Sequence, residues 1–380
     1  MKTYKAYKFR LYPTDSQKLL IEKTFRSTIF IYNTFLAERK NKYELNKIKI
    51  NKYDQLKELT VLKKEYEWLK EIDSCALQTA TFNLDDAFVR FFSGYGYPKF
   101  KKKNIHDSYR TNNVRSTYKD TNYESIRIDL KNKLIALPKL KEVKIRGYRN
   151  LKVIPGKVKS ATVSKDAGKY YVSVLVEVSF TKPVIDLNNV IGLDLGIKDF
   201  IVTSDGEKIK NEVKMNEKRL KGLQKGLSRC VPGSKNYNKM KLKIQRLYLK
   251  IRNSRKYMIH TVTNKILKDN DIIAVESLDI KEMYQVHKVA KYLNQVPMGE
   301  FLRILKYKAE WLGKKVIEIN KYYPSSQICN RCNYKEIKVK DLSVRSWICK
   351  NCECVHDRDI NASINIMFEG LTKYIKENLI

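Results

Sequence analysis

Four cysteines near the C-terminus have the residue type and spacing of a metal site. Cys329 and Cys332 form one C-x2-C pair, and Cys349 and Cys352 form a second. Sixteen residues separate the two pairs, a spacing typical of structural zinc bound by four tetrahedral thiolates. The alternative is two disulfides or unbound thiols, which is less favoured because cytosolic thiols are rarely oxidised. The sequence therefore predicts one structural zinc ion.

Carboxylates form a second group of candidate ligands. Asp357 and Asp359 follow the cysteines and precede apolar residues at helical spacing, so Asp359 lies near the start of a helix. For an isolated aspartate, capping of backbone N–H groups would be the better interpretation. Two further acids favour a catalytic role for Asp359. Asp194 lies in the apolar stretch VIGLDLG, and Glu276 ends a second apolar stretch, DIIAVE. An acid in an apolar strand is costly unless it binds something.

Two acids at the ends of buried strands and one at a helix start suit a ribonuclease-H-like fold that holds two divalent metals. Clustered carboxylates raise one another's pKa and so require cations, and Mg2+ prefers hard oxygen ligands and substrate phosphate. Two Mg2+ ions about 3.5–4 Å apart activate water and stabilise the leaving oxygen of a phosphodiester. We therefore expect Asp194, Glu276 and Asp359 to be catalytic and to bind two Mg2+ ions.

The composition favours a nucleic-acid partner. The 380-residue chain has 77 Lys and Arg against 41 Asp and Glu, a formal net charge of +36. Such a charge is strongly self-repulsive unless a polyanion neutralises it, and membrane lipid is the weaker alternative. No apolar run reaches about 18 residues, and the N-terminus lacks the apolar core of a signal peptide. We expect a cytoplasmic, nucleoid-associated protein of two or three domains.

Hydrophobic patterns predict a helical lobe early in the chain. Alternation in residues 4–12 is typical of a half-buried strand, and Thr14 with Gln17 forms a capping-box pattern. Helical spacing follows to about residue 43, and two further helical segments precede residue 94.

A basic aromatic segment, GYGYPKFKKK at residues 94–103, breaks the helical pattern. Lys99, Lys101 and Lys102 lie here among aromatic residues. They could bind a nucleic-acid backbone, or the segment could be a solvated linker with incidental charge. Strand-like stretches then fill residues 109–180 and could form a small barrel or curved sheet with the N-terminal strand.

The sequence resembles the TnpB family of transposon-encoded RNA-guided nucleases, regarded as ancestors of type V CRISPR effectors. The family's blocks occur in order over nearly the whole chain, including YKFRLYPT, ALQTATFNLDDAFVRFF, GYPKFK, IGLDLGIKDF, LSRCVPGSKN, VESLDIKEM, PSSQICNRC and HDRDINASINI. The resemblance implies that Asp194, Glu276 and Asp359 are the three RuvC acids, and that the four cysteines bind zinc. The chain departs from the family where glycine usually follows each second knuckle cysteine, since Asn333 and Glu353 occupy those positions. Cys354 is an extra thiol that could replace Cys352 as a ligand.

The resemblance also implies an α+β multidomain fold. The expected parts are a wedge-like β-barrel at 1–12 and 104–185, a helical recognition lobe at 13–103, a ribonuclease-H-like (RuvC) nuclease domain at 186–325 and 354–380, and a zinc-binding module that contacts target nucleic acid at 326–353.

The implied partners are a guide RNA derived from the transposon end and a double-stranded DNA target, bound by a monomeric ribonucleoprotein. Gln78, in the ALQ block, falls where the family reads a short motif beside the target. The leading hypothesis is therefore a Mg2+-dependent RNA-guided DNA endonuclease, in which base pairing carries most specificity. Two alternatives stay open. One is a strand-transfer transposase, whose third catalytic acid is more often Glu. The other is an RNA-guided regulator that does not cleave DNA and would be expected to lack one of the three acids.

Overall fold

The computed structural model describes residues 2–102, 107–118, 121–147, 151–180, 183–213, 217–277, 285, 296–341 and 343–378. The chain comprises two compact units, Lys2–Ser179 and Phe180–Ile380. Both mix helices and strands, so the α+β multidomain prediction is confirmed at that level. Among the described residues, no helix combines the length and apolar character needed to cross a membrane.

In the described part of the first unit, three α-helices pack with an antiparallel sheet. Its helices are α1 (Asp15–Asn46), α2 (Lys52–Glu65) and α3 (Ser74–Phe92), with a 3-10 helix at Glu67–Glu71. Its strands are β1 (Lys2–Tyr12), β2 (Ser108–Asn112), β3 (Arg115–Tyr118), β4 (Thr121–Glu124), β5 (Arg127–Asp129), β6 (Leu134–Leu137), β7 (Lys141–Arg146), β8 (Lys157–Asp166) and β9 (Lys169–Ser179).

Seven of these strands form one sheet in the order β2-β8-β9-β1-β7-β6-β5, and every neighbouring pair is antiparallel. The alternating apolar residues of β1 and β9 face one core, which also contains Phe25 of α1. The predicted capping box is confirmed: Gln17 N donates to Thr14 Oγ1 at 3.4 Å, and Thr14 N donates to Gln17 Oε1 at 3.0 Å.

The second unit is built on a five-stranded sheet. Its strands are β10 (Val190–Asp194), β11 (Ile201–Thr203), β12 (Lys208–Ile209), β13 (Ile272–Glu276) and β14 (Lys315–Ile319), in the order β12-β11-β10-β13-β14. Strands β10, β13 and β14 run parallel, whereas β11 is antiparallel to both of its neighbours. Among the residues that the structure describes in this unit, the helices are α4 (Glu217–Ser228), α5 (Lys235–Asp269), α6 (Met298–Leu312) and α7 (Arg358–Asn378).

A small module precedes α7. It contains a 3-10 helix at Ile337–Lys340 and the antiparallel pair β15 (Ser346–Ile348) and β16 (Val355–Asp357). Its core consists of Val339, Trp347 and the buried cysteines Cys329 and Cys349. Such a small apolar core is typical of modules that a bound metal stabilises.

Helix α7 lies directly on the sheet because small residues face it. A Cβ added at Gly192 of β10 would lie 2.6 Å from the backbone N of Met367 and closer still to the carbonyl oxygen of Ser363. Gly370 of α7 likewise packs against Ala274 of β13. This close packing fixes the N-terminus of α7 relative to the ends of β10 and β13, where two of the predicted catalytic acids lie.

Candidate active site and metal centre

The three predicted catalytic acids occupy the ends of three elements of the second unit. Asp194 is the last residue of β10, Glu276 is the last residue of β13, and Asp359 lies in the first turn of α7. Because β10 and β13 are parallel neighbours, their carboxyl ends meet at one edge of the sheet. All three side chains are half-buried.

The electrostatics show that these acids act on one another. Burial, followed by the charges of Glu276 and Asp359, raises the pKa of Asp194 to about 7, and the charge of Arg358 opposes that rise. Burial also raises the pKa of Glu276, while a hydrogen bond from Ser325 and the charge of Arg358 partly offset it. A cluster of carboxylates that resists full ionisation is a suitable site for hard divalent cations.

Asp357 has a different role from Asp359. Its Oδ1 accepts hydrogen bonds from the backbone N of Asp359 and of Ile360, both at 3.1 Å, so it caps α7. Its Oδ2 lies 2.6 Å from Lys208 Nζ. Burial alone would raise the pKa of Asp357, but the Lys208 pair and these backbone donors outweigh it and lower the pKa. Asp357 therefore caps the helix, whereas Asp359 acts on Asp194 through its charge.

Two arginines beside the acids escaped the sequence reasoning. Arg345, which follows the 3-10 helix of the small module, places Nη1 3.4 Å from Asp359 Oδ2. Arg358 is buried, and its Nε has no hydrogen-bond partner among the described residues. For Arg358, the available signal in the sequence was its position between the two aspartates of HDRD, because a guanidinium is rarely buried unless a negative charge is nearby.

The four predicted zinc ligands lie together. The four sulfur atoms lie within 4.8 Å of one another, with 3.6 Å between Cys329 and Cys352 and 3.5 Å between Cys332 and Cys349. Zinc–sulfur bonds of about 2.3 Å in a tetrahedron give sulfur separations of about 3.8 Å, so the cluster fits a zinc ion. Cys352, and not Cys354, belongs to this cluster.

Both knuckles adopt the same turn despite the missing glycines. Asn333 and Glu353 have φ of 61° and 57°, and their backbone N–H groups donate to the carbonyls of Cys329 and Cys349 at 3.0 and 2.9 Å. The left-handed conformation that glycine usually supplies is therefore kept at both positions. The Nε2 atom of His356 lies 3.1 Å from Cys329 Sγ, as expected of a residue that supports a metal ligand.

The predicted nucleic-acid contacts lie in the first unit. Gln78 is an exposed residue of α3, and Lys99, Lys101 and Lys102 are exposed in the segment after it. This segment is fixed to α1, because Asn33 accepts from Lys101 N at 2.8 Å and donates to Lys101 O at 2.9 Å.

Comparisons with known proteins place the chain in a family. Family models described as "Cas12f1-like, TNB domain", "Probable transposase" and "Helix-turn-helix domain" match residues 299–366, 172–287 and 1–47. The chain is 30% identical over 374 residues to a putative RNA-guided DNA endonuclease of Streptomyces pristinaespiralis, covering 97% of this chain and 89% of the relative. It is also 30% identical over 391 residues to the putative RNA-guided DNA endonuclease InsQ of Escherichia coli K12, covering 97% and 93%. The chain belongs to the TnpB family.

A solved structure is similar to this chain in fold. The chain is similar to a protein in the cryo-EM structure of a Cas12f1–sgRNA–target DNA complex, with a TM-score of 0.61 and 12% identity over 96% of this chain and 99% of the other. One family description does not match the local structure, because residues 2–46 form a strand and a single helix and no helix-turn-helix.

Proposed function

We propose that this chain is an RNA-guided DNA endonuclease of a transposon. Two relatives that align over nearly their whole length carry the name putative RNA-guided DNA endonuclease. The observation that carries the proposal is the group of three acids at the ends of β10, β13 and the first turn of α7, in which burial and mutual repulsion raise the pKa of Asp194 to about 7.

The nuclease domain is proposed to be ribonuclease-H-like. The sheet order β12-β11-β10-β13-β14, with two antiparallel pairings followed by two parallel ones, supports this. We propose domain bounds of 186–325 and 354–380 for this domain and 326–353 for the zinc module. For the rest of the chain we propose a wedge-like barrel at 1–12 and 104–185, and a helical recognition lobe at 13–103.

Asp194, Glu276 and Asp359 are proposed to hold two Mg2+ ions, and the four cysteines to hold one Zn2+ ion. Bound Mg2+ would supply an activated water and charge stabilisation at the leaving oxygen of a phosphodiester. The chain's own residues prepare this site. Asp357 caps α7 and so fixes the direction of Asp359, while Arg345 lies beside Asp359 where a phosphate oxygen could approach.

The proposed partners are a guide RNA derived from the transposon end and a double-stranded DNA target. The net charge of +36 supports a polyanionic partner. Gln78 is proposed to contact the short target-adjacent motif, and Lys99, Lys101 and Lys102 to contact the nucleic-acid backbone. We propose that the particle is a monomeric ribonucleoprotein associated with the nucleoid.

The test is a cleavage assay with two guides and two DNA targets, using the full chain purified with its RNA. Cutting should follow the guide, require Mg2+, and disappear in Asp194→Ala, Glu276→Ala and Asp359→Ala while target binding persists. Mismatches next to the protein-read motif should be tolerated least. RNA affinity should fall steeply with salt, because each phosphate contact steepens that dependence.

Each failure has its own meaning. Cutting that ignores the guide, or that proceeds without RNA, would overturn the guided mechanism and favour a nonspecific or strand-transfer nuclease. If the wild type binds DNA as its guide directs but does not cut it, the non-cleaving RNA-guided regulator becomes the better interpretation. Joining of DNA ends in place of hydrolysis would favour a transposase.

A further inference from the structure

A buried hydroxyl connects one catalytic acid to the segment that enters the zinc module. Ser325 Oγ donates to Glu276 Oε1 at 2.5 Å, and Ser325 is 5% exposed. Ser325 lies four residues before Cys329, the first zinc ligand. A hydrogen bond to an ionised group is stronger than one between neutral groups, so the position of Ser325 constrains that of the Glu276 carboxylate.

Two asparagines of α7 hold this same segment. Asn365 Nδ2 donates to the carbonyls of Ser325 and Ile328, both at 2.7 Å. Asn361 Nδ2 donates to the carbonyl of Ile328 at 2.7 Å, and its Oδ1 accepts from Asn330 N at 3.0 Å. The two asparagines are one turn apart on the helix that carries Asp359, so residues 325–330 and the start of α7 form one connected structure.

Burial makes these contacts consequential. Asn361 and Asn365 are 1% and 4% exposed. If residues 325–330 moved, each side-chain amide would lose its hydrogen bonds, and water could not replace them because the amides are buried. Ser363 lies between them and is equally buried, but its hydroxyl donates within α7 to Ile360 O. Burial of a polar residue on this helix therefore does not by itself require contact with the segment.

We propose that Ser325, Asn361 and Asn365 are positioning residues that couple zinc binding at the four cysteines to divalent-metal binding at Asp194, Glu276 and Asp359. Zinc fixes Cys329, the segment 325–330 transmits that position through the α7 asparagines, and Ser325 then directs Glu276. This inference rests on the proposed nuclease function, because it requires metal at the three acids.

Coupling of this kind must be reciprocal. If zinc at the cysteines favours a divalent ion at the acids, a divalent ion at the acids favours zinc retention by the same factor. The network therefore predicts an effect that can be measured without DNA cleavage. Divalent metal should therefore raise the zinc affinity measured by equilibrium competition with a chelator, and removal of the Ser325 hydroxyl should abolish that protection.

The experiment uses full-length protein with its zinc and its co-purified RNA. The zinc affinity is measured by equilibrium competition with a zinc-selective chelator, with and without Mn2+, and Mn2+ binding is measured by electron paramagnetic resonance. Asp194→Ala defines the Mn2+ bound elsewhere, including on RNA. We expect Mn2+ to raise the zinc affinity about fivefold or more in the wild type. We expect Ser325→Ala to weaken Mn2+ binding at the acids by about 10-fold to 100-fold, the usual effect of removing a group that supports a metal ligand.

The variants separate coupling from simple support of the fold. Ser325→Ala should lose the Mn2+ protection and keep wild-type zinc retention without Mn2+, Ser325→Thr should restore the protection, and Asn365→Ala should lose both. Ser363→Ala is the matched control and should behave as wild type. Thermal unfolding verifies that each variant is folded.

Two results distinguish this inference from the proposed function. Wild-type Mn2+ binding equal to that of Asp194→Ala would remove the metal site and the nuclease proposal with it. Normal wild-type Mn2+ binding that Ser325→Ala leaves unchanged, or a zinc affinity that Mn2+ does not raise, would overturn the coupling alone.

Discussion

Gly192→Ala provides a direct test of how the fold positions the active site. The added methyl would lie 2.6 Å from Met367 N and closer still to Ser363 O, whereas ordinary contacts begin at 3.4 Å. Both neighbours are backbone atoms, so β10 and α7 must separate by roughly 1 Å or more. A misplacement of about 1 Å can cost about 100-fold in rate, and forced overpacking costs about 1–3 kcal/mol.

We therefore expect Gly192→Ala to slow single-turnover cleavage about 100-fold, because Asp359 on α7 moves away from Asp194 on β10. Since the added methyl meets two backbone atoms, we expect the free energy of unfolding to fall by about 3 kcal/mol, the upper end of the range for overpacking. For a unit of about 200 residues this lowers Tm by roughly 6–12 °C. Binding of guide RNA should persist at temperatures well below the lowered Tm.

The matched control is Gly222→Ala. Gly222 lies in α4 with nothing within 4 Å of an added Cβ, so this change should leave cleavage intact and stabilise the helix by about 0.4–1 kcal/mol. The reasoning fails if Gly192→Ala cleaves at close to the wild-type rate with an unchanged Tm. If Gly192→Ala lowers Tm strongly but cleaves normally at temperatures below its own Tm, then other contacts hold α7 in position.

Three further predictions follow from particular contacts. Asp357→Ala should cost about 1 kcal/mol through loss of the helix cap and retain appreciable cleavage, whereas Asp359→Ala should abolish cleavage; the opposite result would reverse their roles. Cys352→Ser should lower the zinc content measured by atomic absorption, whereas Cys354→Ser should leave it unchanged, because only the first thiol lies in the sulfur cluster. Burial lowers the pKa of Lys308 from 10.5 to about 8. Between pH 8 and pH 10.5 the unfolded chain therefore binds more protons than the folded chain, so the free energy of unfolding should rise with pH in this window. In urea unfolding measured across this window, Lys308→Met should remove the contribution of Lys308 to this rise.

Local patterns were sufficient to predict many elements of the fold. The helix start at Thr14 was predictable because its capping box depends on residues three apart. The break between α4 and α5 falls near the Pro and Gly of the CVPGS stretch, as turn residues dictate. Asp194 and Glu276 were recognisable because an acid at the end of an apolar run is unusual.

The contacts that hold the site together were not predictable in the same way. Ser325 and Glu276 are 49 residues apart in sequence, and no periodic pattern marks their hydrogen bond. Similarly, Gly192 looks like any glycine in a strand until α7 is placed against it. Strand register and side-chain packing decide such contacts. The sequence shows only a small or polar residue, such as a glycine within a strand, and does not show which distant residue it contacts.

The start of α7 explains why a short stretch carries so much of the site. Within nine residues, Asp357 caps the helix, Arg358 opposes the charge of the acids, and Asp359 acts on Asp194 through its charge. Asn361 and Asn365 hold the segment that leads to the zinc ligands. These roles meet at the start of one helix, so a change that displaces this helix moves several of them together. Substitutions here should therefore be non-additive in their effects on metal binding, as is usual for residues in contact within one network.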